Sequence, residues 1–130
     1  MIKELKPENY TDFEELKEDI KIIHEELFPH ATLGTQCAKF EEEAEELQLA
    51  KTEEEIKEEY ADLFIVACGI GRWCPELADC IILHLLNRLT CVEHKIELME
   101  VICRKMNKNQ ERDWGEMSDG YYKHQVHNLH

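Results

Sequence analysis

The segment DLFIVACGI, residues 62–70, is the strongest constraint in the chain: after Asp62 it holds no charged or amide side chain. A helix that is apolar all round must be buried all round. The run is far too short to cross a bilayer, which takes about 20 apolar residues. It therefore belongs at the centre of a bundle, and the rest of the chain has to supply the surrounding helices.

The flanking sequence supplies them. Thr11 and Glu14 form a capping box, and Phe13, Leu16, Ile20, Ile23 and Leu27 follow at helical spacing, which predicts a helix from about Asp12 to Phe28 ended by Pro29. A second helix is expected after Gly34, capped by Thr35, with Cys37, Phe40, Ala44 and Leu47 on one stripe. Thr52 and Glu55 cap a third, which runs to about Trp73 with Ile56, Tyr60, Leu63, Ala67 and Ile70 inward. Pro75 suits the first turn of a fourth, carrying Leu77, Cys80, Ile81, His84, Leu85 and Arg88. Thr90 and Glu93 form another box, so a fifth helix starts near Leu89 and ends around Gln110; one continuous helix from Pro75 is the alternative. Only 5 Gly and 3 Pro in 130 residues leave little turn material for a many-stranded fold. The expectation is all-α: an antiparallel bundle of four to five helices in one domain, residues 1–115, with an irregular tail over 116–130.

The formal net charge is −14, which repels polymeric nucleic acid and anionic membranes. MIKELKPENY lacks an apolar signal region, and the six cysteines contain no CxxC pair. Reduced core thiols in a cytoplasmic protein are the simplest expectation.

The acid has an address. Glu41 to Asp62 holds eleven carboxylates against Lys51 and Lys57. Most such runs are solvated helix faces. Here Glu43 and Glu46 sit on one shoulder of the second helix, and Glu59 and Asp62 occupy the same place on the third, each pair at i, i+3. The short link between the helices predicts an antiparallel hairpin. In that hairpin Glu43 lies level with Asp62 and Glu46 with Glu59, so four carboxylates converge roughly two turns from the loop. Two carboxylates ~5 Å apart repel by roughly 3 kcal/mol at an effective dielectric of ~20. Four must take up protons or hold a cation. Lys39, on the shoulder of Glu43, neutralises one at most. All-oxygen ligands select Mg²⁺ first and Mn²⁺ second. No His has Glu three residues before it, which excludes a ferritin-like di-iron site.

KFEEEAEELQLA followed by EEIKEEYADLFIVA resembles the EExxE…ExxD signature of the MazG-like all-α nucleoside triphosphate pyrophosphohydrolases, here as Glu42, Glu43, Glu46, Glu59 and Asp62. KMNKNQERDW resembles the C-terminal motif of small, phage-type members, and the likeness spans roughly Phe28 to Trp114. The resemblance implies a homodimer or homotetramer holding Mg²⁺ on carboxylates of two helices. It also implies hydrolysis of an NTP or dNTP to the monophosphate and pyrophosphate, as in nucleotide-pool control. Glu43, Glu46, Glu59 and Asp62 become the metal-binding and catalytic candidates. Glu46 is one choice for the base that takes the proton of the attacking water. Glu42 points to solvent on a helical wheel, which leaves it an indirect role or none.

Lys105, Asn109 and Arg112 share a helix face. The helix dipole alone favours bases there, but with the resemblance they become triphosphate-binding candidates, with Lys39 as the fourth. Trp114 reads as a packing anchor before a lid. His24 reads as a satisfied, partly buried histidine before a base contact, and His84 as core or interface. His124, His127 and His130 would pay ordering entropy to bind metal from a tail, and Tyr121 and Tyr122 are candidates for docking it on a neighbour. No Gly-rich phosphate loop and no Ser-His-Asp or Cys-His order is present. A phosphoribosyl-ATP pyrophosphohydrolase-like activity and a non-catalytic acidic interaction module stand as the alternatives. Base and sugar preference, and the number of metal ions, have no motif to read.

Overall fold

The computed structural model describes residues 1–89 and 91–112. A short 3₁₀ turn, Pro7–Asn9, precedes α1 (Phe13–Leu27), α2 (Leu33–Leu49), α3 (Glu53–Ile70), α4 (Pro75–Asn87) and α5 (Val92–Glu111). Among the described residues there is no strand. No helix among them is long and apolar enough to cross a membrane. The tail, with Trp114, Tyr121, Tyr122, His124, His127 and His130, and the capping residue Thr90 lie outside the described residues.

α3 is the axis. It packs against α1, α2, α4 and α5, and every residue from Leu63 to Ile70 is buried. Leu16, Ile20 and Ile23 of α1, Ile82 and Leu85 of α4, and Leu98, Ile102 and Met106 of α5 close around it. Phe13 meets Phe64 with ring centroids 5.6 Å apart. The break between α4 and α5 falls where expected, so Pro75 does not begin one long helix.

One tie has no periodicity to announce it. The first residues run extended along α5: Asn107 Oδ1 accepts from Leu5 N at 2.7 Å and its Nδ2 donates to Leu5 O at 2.9 Å. Gln110 serves Ile2 and Lys3 in the same way. Side-chain amides here take the place of a partner strand, and Leu5 enters the core.

Several local expectations need correction. Asp12, not Thr11, caps α1: its Oδ1 accepts from Glu15 N at 3.1 Å, while Glu15 reaches back to Thr11. Thr32, not Thr35, caps α2. Thr32 Oγ1 accepts from Thr35 N, and Thr35 Oγ1 accepts from Thr32 N at 2.8 Å, so a threonine does the work usually given to Glu at the third position. α3 stops at Ile70, short of Trp73, and Ile56 is exposed in its first turn, beyond the end of the core. On α4 the buried face is Ala78, Ile82 and Leu85, while Leu77, Cys80 and His84 are exposed, so His84 is not a core histidine. All six cysteines are free thiols, but only Cys68 and Cys103 are buried.

The carboxylate cluster and its cationic cavity

α2 explains the position of the site. Its only buried residues are polar: Gln36 and Glu43. The apolar stripe of Phe40, Ala44 and Leu47 is half-buried beside them. A helix that turns polar residues inward is fronting a cavity, because the apolar alternative would have filled it. That cavity, about 320 Å³, lies between α1, α2, α3 and α5 and opens to solvent. Lys39, Glu43, Asp62, Lys105, Asn109 and Arg112 all border it. The four phosphate-binding candidates thus meet two of the acidic candidates, Glu43 and Asp62, in one place.

The antiparallel α2–α3 hairpin brings the carboxylates together. Glu43, Glu46 and Glu59 each offer an oxygen within 4.8 Å of the others. Asp62 stands next to them but is otherwise engaged: Lys105 Nζ lies 3.0 Å from both of its oxygens. Lys105 also reaches Glu58 at 3.7 Å, and Glu58 takes Arg104 at 2.6 Å. The expected foursome is therefore three carboxylates plus an ion-paired fourth. Lys39 Nζ lies 3.3 Å from Glu43, as its shoulder position required. Arg112 Nη1 donates to Asn109 Oδ1 at 3.1 Å.

Glu42 differs from expectation. Its Oε2 is buried and has no hydrogen-bond partner, as have Glu43 Oε2 and Glu59 Oε2. The wheel sent Glu42 to solvent because a wheel ignores the three-carbon reach of the side chain.

The electrostatics agree with the geometry. Burial, then the charges of Asp62 and Glu46, push the Glu43 carboxyl from 4.5 up to about 8, against the pull of Lys39. Glu59 is raised by burial and by Asp62. Asp62 is raised by burial even with Lys105 beside it. Carboxylates that crowd and lose water are unstable as bare anions. Orphaned buried carboxylate oxygens and an all-oxygen donor set fit a hard divalent cation, and the three glutamates are able to hold one.

Of the far wall of the cavity, the sequence singled out His24 and not Gln36. His24, Phe28, Gln36, Ile65 and Val66 line it. His24 is 6% exposed, and its ring centroid lies 5.0 Å from that of Phe28. Burial and the Arg72 charge lower its pKa to about 4, so it is neutral at physiological pH. The expectation of a satisfied, buried histidine holds, and the same residue also borders the cavity.

The described residues thus form an all-helical bundle with an acidic cluster on an antiparallel helix pair, beside a cavity bordered by cations. A family model described as phosphoribosyl-ATP pyrophosphohydrolase matches residues 10–72, which takes in α1, α2 and α3. The matched family is one of the MazG-like superfamily of nucleotide pyrophosphohydrolases, so the resemblance read from the acidic motif fits it. No curated protein and no solved structure matches the chain.

Proposed function

We propose that the protein hydrolyses a nucleoside triphosphate, NTP or dNTP, between the α and β phosphates, giving the monophosphate and pyrophosphate. The observation that supports this most directly is the shared cavity. Lys39, Lys105 and Arg112 border the same space as Glu43 and Asp62, next to the three-glutamate cluster.

Glu43, Glu46 and Glu59 would hold the divalent ion, Mg²⁺ or Mn²⁺, with Asp62 beside them. Bound there, such an ion offsets anionic charge on phosphate oxygens and lowers the pKa of water. The chain's own part follows from placement. Lys105 and Lys39 are held by Asp62 and Glu43 and are set to exchange part of those pairings for phosphate oxygens. Arg112, oriented by Asn109, adds a fork-shaped donor at the cavity rim. Glu46 is the solvent-exposed member of the cluster and is placed to take the proton of an incoming water. Water oxygen forms the new bond to the α phosphorus, the α–β bridging bond breaks, and pyrophosphate leaves.

A second substrate, phosphoribosyl-ATP, is favoured by the matched family's description. It is cleaved at the same anhydride. One assay covers both: a panel of common NTPs, dNTPs and phosphoribosyl-ATP with Mg²⁺, read for pyrophosphate against orthophosphate. Orthophosphate as product rejects the cleavage position. Glu46→Gln and Asp62→Asn are expected to fold and to lose pyrophosphate release; full activity in both rejects the site. A non-catalytic acidic module would show neither activity nor a metal-dependent gain in melting temperature. The exposed Leu83, Val92 and Ile96 support assembly as a homodimer or homotetramer, which light scattering on the purified protein measures.

A further inference from the structure

The fourth carboxylate of the cluster is taken by a cation that belongs to the chain. Lys105 Nζ lies 3.0 Å from both oxygens of Asp62. An ammonium placed there competes with any second cation for Asp62, by position and by charge.

The same ammonium has another carboxylate at hand. Glu58 lies one helical turn before Asp62 on α3, and its Oε1 is 3.7 Å from Lys105 Nζ. Its other oxygen, Oε2, accepts from Arg104 Nη2 at 2.6 Å. Glu58 thus spends one oxygen on a guanidinium and turns the other toward Lys105. The two pairs form an inner and an outer layer. Asp62 and Lys105 border the cavity, and Glu58 and Arg104 do not. Exposure follows the same order: 19% for Lys105 and 27% for Asp62, against 35% for Glu58 and 55% for Arg104. An exposed pair such as Arg104–Glu58 adds little to stability. Its consequence is direction, because it holds a carboxylate beside an ammonium that is already paired.

We propose that Glu58, braced by Arg104, is the positioning residue that receives Lys105 when Asp62 turns to a divalent cation. This rests on the metal site proposed above. While the cluster is bare, Lys105 neutralises Asp62 and relieves its crowding with Glu43 and Glu59. Divalent charge in the cluster repels the ammonium and weakens its hold on Asp62. Glu58 then supplies the replacement pair, so Lys105 gives up Asp62 without being left to water alone. Its ammonium stays beside the cavity, released from the carboxylate that held it. The coupling is reciprocal: a cation that draws Asp62 frees Lys105, and a Lys105 drawn to Glu58 opens Asp62.

A double-mutant cycle on metal binding alone tests this. Mn²⁺ is titrated into the nucleotide-free protein, and its affinity is read by calorimetry and by the electron paramagnetic resonance of the free ion. Glu58→Gln keeps the shape and removes the receiving charge. In the wild-type background it weakens Mn²⁺ binding by about 10-fold. In the Lys105→Met background no ammonium has to move, and the same change costs about 2-fold or less. Lys105→Gln stands as the second background should Lys105→Met not fold. A Glu58 charge that acted only through space would weaken Mn²⁺ equally in both backgrounds, and a merely structural Glu58 would lower the melting temperature in EDTA and leave no coupling in the cycle. Equal losses in the two backgrounds, no loss in either, or no Mn²⁺ binding by any of the four proteins overturn the proposal. The expected cycle in a wild type that releases no pyrophosphate from any nucleotide upholds the proposal and rejects the hydrolytic reading. Pyrophosphate release with equal losses does the reverse, so the two fail separately.

Discussion

Glu43 gives the sharpest quantitative prediction, because it sets stability against function. Its carboxyl rises from 4.5 to about 8 by burial and by the neighbouring Asp62 and Glu46 charges. A carboxyl raised in the fold contributes most at low pH. Its stability is lost as pH climbs from about 4.5 through about 8, where the folded protein must also ionise it. At about 1.4 kcal/mol per unit the full loss would approach 5 kcal/mol. The side chain is only 6% exposed, but it borders an open cavity and has Lys39 at 3.3 Å. Lys39 is already counted in that shift, and screening by the cavity's water cuts the effect to about 2 kcal/mol.

Glu43→Gln keeps the shape and removes the charge. In EDTA at about pH 8.5, thermal unfolding is expected to show the variant melting higher than the wild type. With an unfolding entropy of about 2.1 cal/mol/K per residue, 2 kcal/mol corresponds to about 7 °C for this length. At about pH 5 the gap closes, since the wild-type side chain is then protonated. Added Mg²⁺ reverses the order at high pH, and pyrophosphate release by the variant drops by about 10²–10³-fold. A variant less stable than wild type in EDTA at both pH values would refute the reasoning, because the Lys39 pair would then outweigh the crowding.

The remaining predictions concern the metal, the glycine and the histidine. Mg²⁺ or Mn²⁺ at about 100 times its dissociation constant stabilises the protein by about 2.7 kcal/mol, seen as a rise of about 10 °C in melting temperature; Glu59→Gln removes the rise, and a wild type that shows none has no such site. Gly69→Ala puts a methyl group on Gln36 Nε2 and beside His24 Nε2 and lowers stability by about 1–3 kcal/mol; wild-type denaturant midpoints would show the wall yields freely. His24, lowered from 6.5 to about 4, contributes stability above about pH 6.5 that is lost as pH falls toward about 4, by about 3 kcal/mol. His24→Gln flattens that acid limb of the stability profile, and an unchanged limb contradicts the neutral, buried histidine.

What the sequence made legible followed the rules with the fewest alternatives. An apolar run with no polar side dictated a central α3, and it is central. Level positions in a hairpin dictated the meeting of Glu43, Glu46 and Glu59. The errors came from features that depend on two elements at once. The polar inward face of α2 follows from the cavity opposite it, so the stripe of Phe40 and Ala44 marked only the edge of the buried surface. The pairing of Asp62 has no spacing signal, because its partner Lys105 is 43 residues away. His24, Gln36, Gly69 and Arg72 come from α1, α2, α3 and the turn after it, and no spacing rule joins them.

The two walls of the cavity also divide the chemistry in a way charge alone would not. One end gathers Glu43, Asp62, Lys39 and Lys105, groups whose net charge a bound cation and a phosphate chain would rebalance. At the other, burial and the Arg72 charge hold His24 without its second proton. A charged histidine there would lose Arg72 as a partner, because both would then donate. The surface carries most of the −14 charge of the chain, while the cavity brings acidic, basic and neutral polar side chains together.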